Sequence, residues 1–352
     1  MDIVLMIIYA TILLGFLVFI HEGGHYLAAR AFGVRVTEFM LGLPGPSIGF
    51  TRGGTRFGVT AVPLGGYAKV CGMEAGEMSP HLEAVLAALY RRGTANMEDI
   101  ARDCGISDDE AYDALEELVE WGSIKGPTKK QLKAAAAGEP APASYALGQA
   151  RPVDDAHALY QGEYRQQYRA LPFWKRSVIL VAGVFVNLLF AMLLFVLMYS
   201  VIGFEAQSPN TGVFYHAALT PLQSLQAGFA NIGQVIALVA SLFNPATAAD
   251  TVSNTTSIIG IAVMSKDAVD MGLMGILSFT AMISVSLGIM NLLPIPPLDG
   301  GRFVVEVFQK VSRRVVSTRA LNYLSAAGML LFLGFFLIMA NQDIQRFVFG
   351  NW

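Results

Sequence analysis

The sequence HEGGH at residues 21–25 lies inside the first long apolar segment of the chain, since residues 3–20 carry no charge. On a helix, His21 and His25 lie one turn apart on the same face, so both imidazoles can reach one cation while Glu22 lies beside it. The simpler alternative is a pair of helix histidines next to an acid. Because a His-Glu-His cluster is costly to bury in such a helix, the stretch predicts a membrane-embedded metal site.

The composition excludes an ordinary soluble domain. Of the 352 residues, 54% are hydrophobic and only 14% are charged, which indicates a protein that crosses the membrane several times. The net charge of −3 says little, but most Lys and Arg lie between Arg30 and Arg176, and none lies between Arg176 and Lys266. The two cysteines, Cys71 and Cys104, predict no disulfide framework.

The hydropathy pattern predicts a mainly α membrane protein with about four transmembrane helices. Residues 1–33 hold the first, and residues 171–352 form a membrane core with spans near 177–203, 271–293 and 320–340. Residues 228–243 are short for a crossing and are interpreted as re-entrant or surface-lying. The Lys and Arg count places both basic loops in the cytoplasm and both termini outside, in a multi-pass protein of the plasma membrane.

Between the first two spans, the sequence predicts a sheet and a helical insertion. Residues 34–75 show short alternating runs typical of a small membrane-associated β-sheet, either a structural cap or an edge for an extended peptide. Residues 79–126 show three helical periodicities and a short wing, resembling a winged helix-turn-helix. Residues 127–170 are interpreted as a linker followed by an interfacial helix.

The third helix of this insertion is acidic where a DNA-binding protein would be basic. Its acids would repel phosphates instead of releasing counterions. They are Asp108, Asp109, Glu110, Asp113, Glu116, Glu117 and Glu120. We therefore expect a protein or a small ligand, and not nucleic acid, as the partner of this cytoplasmic module.

Asp299 is the candidate third metal ligand. It lies among prolines and glycines at the end of the third predicted span, and the topology places it at the membrane depth of His21 and His25. Asp-Gly is also a common turn pair, which is the simpler alternative. Two histidines and one carboxylate, with water in the fourth position, make a catalytic zinc site in which Glu22 is the natural general base.

Three further polar or helix-breaking positions are candidates for contact with a substrate. Asn187 and Asn291 lie in predicted spans, where hydrogen bonding between helices is as good an interpretation as substrate binding. Pro297 and its neighbouring prolines break the helix, which frees backbone groups that must line a cavity or bind another segment.

Four motifs in one order resemble the site-2 protease family of intramembrane zinc metalloproteases. They are HEGGH at 21–25, PLGGYAK at 63–69, AGVFVN at 182–187 and NLLPIPPLDGG at 291–301. The resemblance implies that His21, His25 and Asp299 hold Zn²⁺ and that Glu22 is the catalytic base. The substrate-binding residues then expected are Gly65, Gly66, Asn187, Asn291 and Pro297.

The same resemblance implies the substrate class. A single-span membrane protein, such as an anti-sigma factor or a similar regulator, would be unwound and cut near the cytoplasmic face, within the membrane lipid. Two features depart from the family. Residues 204–269 have neither the length nor the strand pattern of the PDZ domain that many bacterial relatives carry, and Val184 stands where proline is frequent.

Two other functions compete with this interpretation. One is a membrane-tethered DNA-binding regulator with a structural metal site, although Glu22 would then have no role and closed zinc sites usually use four ligands. The other is a metal-gated transporter, for which the sequence shows no paired inverted repeat. Intramembrane proteolysis explains the largest number of these features.

Overall fold

The computed structural model describes residues 2–62, 65–73, 76–136, 144–207, 213–347 and 349. The helices up to the middle of the chain are α1 (Asp2–Ala31), α2 (Leu82–Arg92), α3 (Met97–Cys104), α4 (Asp108–Glu120), α5 (Lys129–Ala136), α6 (Ala156–Tyr164) and α7 (Phe173–Val196). The later helices are α8 (Pro221–Ser241), α9 (Ala248–Asn254), α10 (Ile258–Asp270), α11 (Gly272–Asn291), α12 (Asp299–Ser312) and α13 (Thr318–Phe347).

The strands are short and lie mainly between α1 and α2. They are β1 (Val36–Leu41), β2 (Ser47–Arg52), β3 (Thr55–Thr60), β4 (Gly66–Val70), β5 (Thr94–Ala95), β6 (Tyr145–Ala146), β7 (Phe204–Gln207) and β8 (Phe214–Ala217). Residues 63 and 64, the first two of the PLGGYAK motif, lie outside the described residues.

The predicted mainly α membrane fold is confirmed. Within the described part of the chain, five helices are long and apolar enough to cross a membrane. They are Val4–Ala31, Phe173–Ile202, Pro221–Ser241, Gly272–Asn291 and Thr318–Phe347, the second including a π-helical end at Leu197–Ile202.

Helix α8 is longer than the apolar stretch 228–243 suggested. It begins at a capping box, in which Thr220 and Gln223 bond each other's backbone N–H, with Pro221 in the first turn. Its first turns are polar, so a hydropathy profile does not show where the helix begins. One of these polar residues, Ser224, hydrogen-bonds Ser200 of the second span at 2.7 Å. The helix packs along α7 and α11, so it is not surface-lying.

Helices α1, α7 and α11 form the centre of the bundle, and α7 runs antiparallel to both α1 and α11. Phe16 of α1 packs against Phe190 of α7, and Gly24 approaches the carbonyl of Ala182. Ser284 of α11 donates to the Asn187 carbonyl. The end of α1, the beginning of α7 and the end of α11 therefore meet at one end of the bundle, where the sequence motifs lie.

A sheet with the order β2-β3-β1-β4 packs against this end. Strand β1 is parallel to β3 and antiparallel to β4, and β4 forms the edge beside α1. The sequence pattern did not predict β2, because its side chains are nearly all exposed and so lack the alternation of a half-buried strand.

The insertion has the element order of a winged helix, namely α2, β5, α3 and α4 followed by a short wing. Lys125 and β6 form the wing and pair with each other. Strand β6 also pairs with β5. Its core contains Leu86, Ile100, Leu115 and Trp121. Ser107 and Glu110 form a capping box at the beginning of α4.

The residues interpreted as a linker and an interfacial helix take part in this core. Tyr145 of β6 is buried there, and the Tyr160 and Tyr164 rings of α6 lie 5.9 and 6.0 Å from Trp121. Helix α6 therefore packs on the module, and its position at the membrane interface stays a prediction. Aromatic residues at helical spacing are typical of both situations, and only packing distinguishes them. Residues 137–143 of the proposed linker lie outside the described residues.

Candidate metal centre and catalytic cleft

The structure brings His21, His25 and Asp299 together, and their potential ligand atoms all lie within 4.8 Å of one another. His21 Nε2 is 3.0 Å and His25 Nε2 is 3.1 Å from Asp299 Oδ2, and the two Nε2 atoms are 3.3 Å apart. Both histidines are buried, with at most 8% of their surface exposed. Three donors on two imidazoles and one carboxylate match the ligand set of a catalytic zinc ion.

Two features of α7 show that the pocket fits a metal ion. His25 Nδ1 donates to the Ile179 carbonyl at 2.7 Å, which leaves the Nε2 lone pair free for a ligand. A Cβ atom on Gly183 would lie 2.4 Å from His25 Nε2 and 2.7 Å from His21 Nε2. The absent side chain of Gly183 therefore leaves the space between the donors open.

Asp299 is held in place by the rest of α12. It is the first residue of the helix, and Glu306, two turns later on the same face, pairs with Arg176 of α7 at 2.9 Å. Tyr168 donates to the other Glu306 oxygen at 3.5 Å. Burial raises the pKa of Glu306, and Arg176 opposes that rise. We call Tyr168, Arg176 and Glu306 the α12 latch.

Glu22 points from α1 to the sheet edge. Its Oε2 accepts a hydrogen bond from the Ala68 backbone N–H at 2.9 Å. The close approach of β4 depends on Gly66, where a Cβ atom would lie 2.8 Å from Val18 and 3.0 Å from the Met40 carbonyl. The carboxylate is therefore held at the edge of β4, in the cavity that the candidate metal ligands also line.

A cavity of about 530 Å³ joins these parts. Of the residues predicted to bind substrate, Gly65, Gly66, Asn291 and Pro297 line it together with His21, Glu22, His25 and Asp299. Asn187 does not line it. Its side chain is fully buried on α7, and its amide Nδ2 lies 3.2 Å from His21 Nδ1. Helix α7 places Asn187 behind His21, a proposed ligand, and the role of Asn187 in substrate binding stays a prediction.

The sequence matches one known family over most of its length. The profile of peptidase family M50, the site-2 proteases, covers residues 9–335. The chain belongs to this family. It is therefore a zinc metalloendopeptidase of the membrane, as its relatives' names also indicate.

Two relatives illustrate the similarity. A protein of Campylobacter jejuni named for zinc metalloprotease activity is 27% identical over 355 residues, which cover 96% of this chain and 93% of the relative. The regulator of sigma-W protease RasP of Bacillus subtilis is 22% identical over 420 residues, covering 95% and 97% of the two chains.

The sequence pattern did not predict several residues that line the cleft of this site-2 protease. The cavity is also lined by Tyr67, Lys69, Glu120 and Arg302. Burial and the hydrogen bond to Glu38 raise the pKa of Tyr67 to about 12, so its hydroxyl stays neutral. Glu120 belongs to the winged-helix-like module, and no local pattern could show that the end of α4 reaches the cleft. Tyr67 and Lys69 lay inside the PLGGYAK motif, which was the available signal.

Proposed function

We propose that His21, His25 and Asp299 hold the zinc ion and that Glu22 is the general base in an intramembrane endopeptidase. The convergence of the three donors at 3.0 to 3.3 Å carries this proposal. Zinc bound there would supply Lewis acidity and lower the pKa of water. Glu22, oriented by the Ala68 N–H, would accept a proton from the attacking water and deliver it to the leaving amine.

We propose that the substrate binds in extended form along β4. Backbone groups of alternate residues point to the same side of a strand, so Gly66 and Val70 face the cleft together with Ala68, whose N–H contacts Glu22. An added substrate strand would satisfy backbone groups that a cleaved transmembrane helix must expose in lipid. Asn291 lines the same cavity. Its Nδ2 donates a hydrogen bond to the Leu287 carbonyl at 2.9 Å, and its Oδ1 would accept one from the substrate.

We propose that the substrates are single-span membrane proteins that regulate transcription, such as anti-sigma factors. The support is the similarity to the Bacillus subtilis relative that is named regulator of sigma-W protease RasP and is covered over 97% of its length. The cleft opens beside helices that are long and apolar enough to cross a membrane, which suits a substrate that is itself embedded. A protein or small ligand is the proposed partner of the module.

We also propose that both termini lie outside the cell and that the module is cytoplasmic. The Lys and Arg distribution supports this orientation. The segment α8–α10 begins beside Tyr199, to whose carbonyl Leu219 donates, and returns to α11 where Ser278 contacts Met198. Since both contacts lie at the same end of α7, the segment makes no net crossing, which supports the four-crossing topology even though α8 is long enough to span.

The proposal is tested by replacing the base and one ligand separately. We expect Glu22→Gln to bind zinc stoichiometrically and to lose cleavage of a reconstituted single-span substrate, because the ligands remain while the base is lost; general bases typically contribute about 10²- to 10⁴-fold. Asp299→Ala should instead lose zinc. Wild-type cleavage by the Glu22→Gln protein, or normal zinc binding by the Asp299→Ala protein, would contradict the assigned roles.

A further inference from the structure

Asn187 is the buried polar residue next to the proposed zinc site that the mechanism does not use. Its side chain has no exposed surface, and its Nδ2 lies 3.2 Å from His21 Nδ1. Its Oδ1 has no hydrogen-bond partner among the described residues. A buried acceptor without a partner costs about 1–3 kcal/mol, so its presence requires an explanation.

The explanation lies in the two nitrogens of His21. Nε2 faces Asp299 and His25 and is the proposed zinc ligand, so a neutral ring that binds zinc there carries its proton on Nδ1. That N–H needs an acceptor, and an amide NH₂ cannot supply one. A rotation of the Asn187 amide by about 180° exchanges its oxygen and nitrogen and places Oδ1 beside the Nδ1 proton.

We propose that Asn187 is a positioning residue whose Oδ1 accepts the His21 Nδ1 proton and so holds the ring in the tautomer that offers Nε2 to zinc. This inference rests on the proposed function, because it requires zinc at His21. The rotation gives the buried oxygen a donor and moves the NH₂ group to the position that Oδ1 held. Asn187 does not line the cleft and acts through His21.

The other histidine ligand has the same kind of support. His25 Nδ1 donates to the Ile179 carbonyl at 2.7 Å. Ile179, Gly183 and Asn187 follow one another at intervals of four residues, so they lie on one face of α7. That face therefore offers, in order, a backbone acceptor for His25, an open space for the ion and an amide acceptor for His21. Helix α7 thus orients both ligands that α1 provides.

The test measures zinc affinity of the purified full-length chain by competition with a chelator. Asn187→Leu keeps the volume but removes the acceptor, and we expect zinc affinity to fall about 10- to 100-fold, the usual effect of losing a partner of a ligand histidine. Asn187→Asp keeps an acceptor oxygen and removes the NH₂ group, and we expect affinity close to wild type. Ser284→Ala is the control, since this fully buried residue donates to the Asn187 carbonyl without contacting a ligand.

The outcomes separate the acceptor role from packing. Wild-type affinity in Asn187→Leu, an equal loss in Asn187→Asp, or a similar loss in Ser284→Ala would each overturn the proposal. If the leucine variant does not fold, the aspartate variant still decides, because it binds zinc normally only if the acceptor is what matters. A wild-type chain that binds no zinc would instead refute the proposed function.

Discussion

At the scale of single residues, the empty volume beside Gly183 is as important as the donors themselves. Two imidazole nitrogens lie within 2.7 Å of the position that a Cβ atom would take there. Gly183 is helical with an ordinary φ, so backbone conformation does not explain its presence. The lack of a side chain lets α1 and α7 pack closely while it leaves room for the proposed zinc ion between them.

We therefore expect Gly183→Ala to abolish or strongly weaken zinc binding, because the new methyl group occupies the space of the ion. Overpacking of this kind also costs about 1–3 kcal/mol of stability. Gly23→Ala is the matched control: it lies between His21 and His25, and its added Cβ would meet no atom within 4 Å. Zinc content after purification checks both variants, and a Gly183→Ala protein with full zinc occupancy would show that the helices can move apart.

At the scale of an element, α12 carries Asp299 to the site and is itself held by the α12 latch. Glu306 is 6% exposed and pairs with Arg176, so its removal leaves a partly buried guanidinium without its carboxylate. We expect Glu306→Ala to cost about 1–3 kcal/mol and to lower zinc affinity through a less fixed Asp299. Val304→Ala, at an exposed position of the same helix, should change neither quantity. If Glu306→Ala leaves the zinc affinity unchanged, the turn before α12 is sufficient to position Asp299 without the α12 latch.

The pH dependence of stability offers a second measurement on the latch. Because the pKa of Glu306 is raised above its ordinary 4.5, the folded protein holds this proton more tightly than the unfolded chain does. The contribution of Glu306 to stability therefore declines as pH rises from 4.5 through the raised value. Glu306→Gln cannot titrate, so the corresponding decline should disappear from its stability profile. The same slope in both proteins would assign it to other groups.

At the scale of the whole molecule, the module is docked on the sheet beside the cleft. Arg35, just before β1, donates to the Trp121 carbonyl at 3.3 Å, to Glu163 at 2.9 Å and to Gln166 at 3.0 Å. Cys71 lies at this contact with no exposed surface, and burial raises its pKa to about 11. Since Glu120 of the same module lines the cleft, undocking would change the walls of the active site.

Cys71 is therefore an internal probe of docking. In a Cys104→Ser background, we expect the thiol to react slowly with a maleimide at neutral pH, and Arg35→Ala to raise that rate about tenfold or more because it loosens the contact. Arg92→Ala is the control, since Arg92 pairs with Asp103 within the module. The labelling rate checks the prediction, and equal rates in all three proteins would mean that Arg35 does not hold the module in place.

The local features of this protein were predictable from its sequence. Helical periodicity alone places His21 and His25 on one face, hydropathy alone defines the main spans, and the order of helices in the module follows from its caps and apolar spacing. These signals depend on neighbours within a few turns, so they need no knowledge of the rest of the chain. The family resemblance rested on the same local motifs.

What the tertiary structure decided depends on contacts between residues far apart in the chain. The sequence predicted that Asp299 joins His21, but the fold makes the contact between them across 278 residues. Asn187 lies behind His21 and does not line the cleft, and Glu120 reaches the cleft from the module. Polar residues in α8 and aromatic residues in α6 give patterns that fit more than one environment. Their environment is set by which surfaces pack together, and packing follows from the shape of the whole chain and not from any short stretch of it.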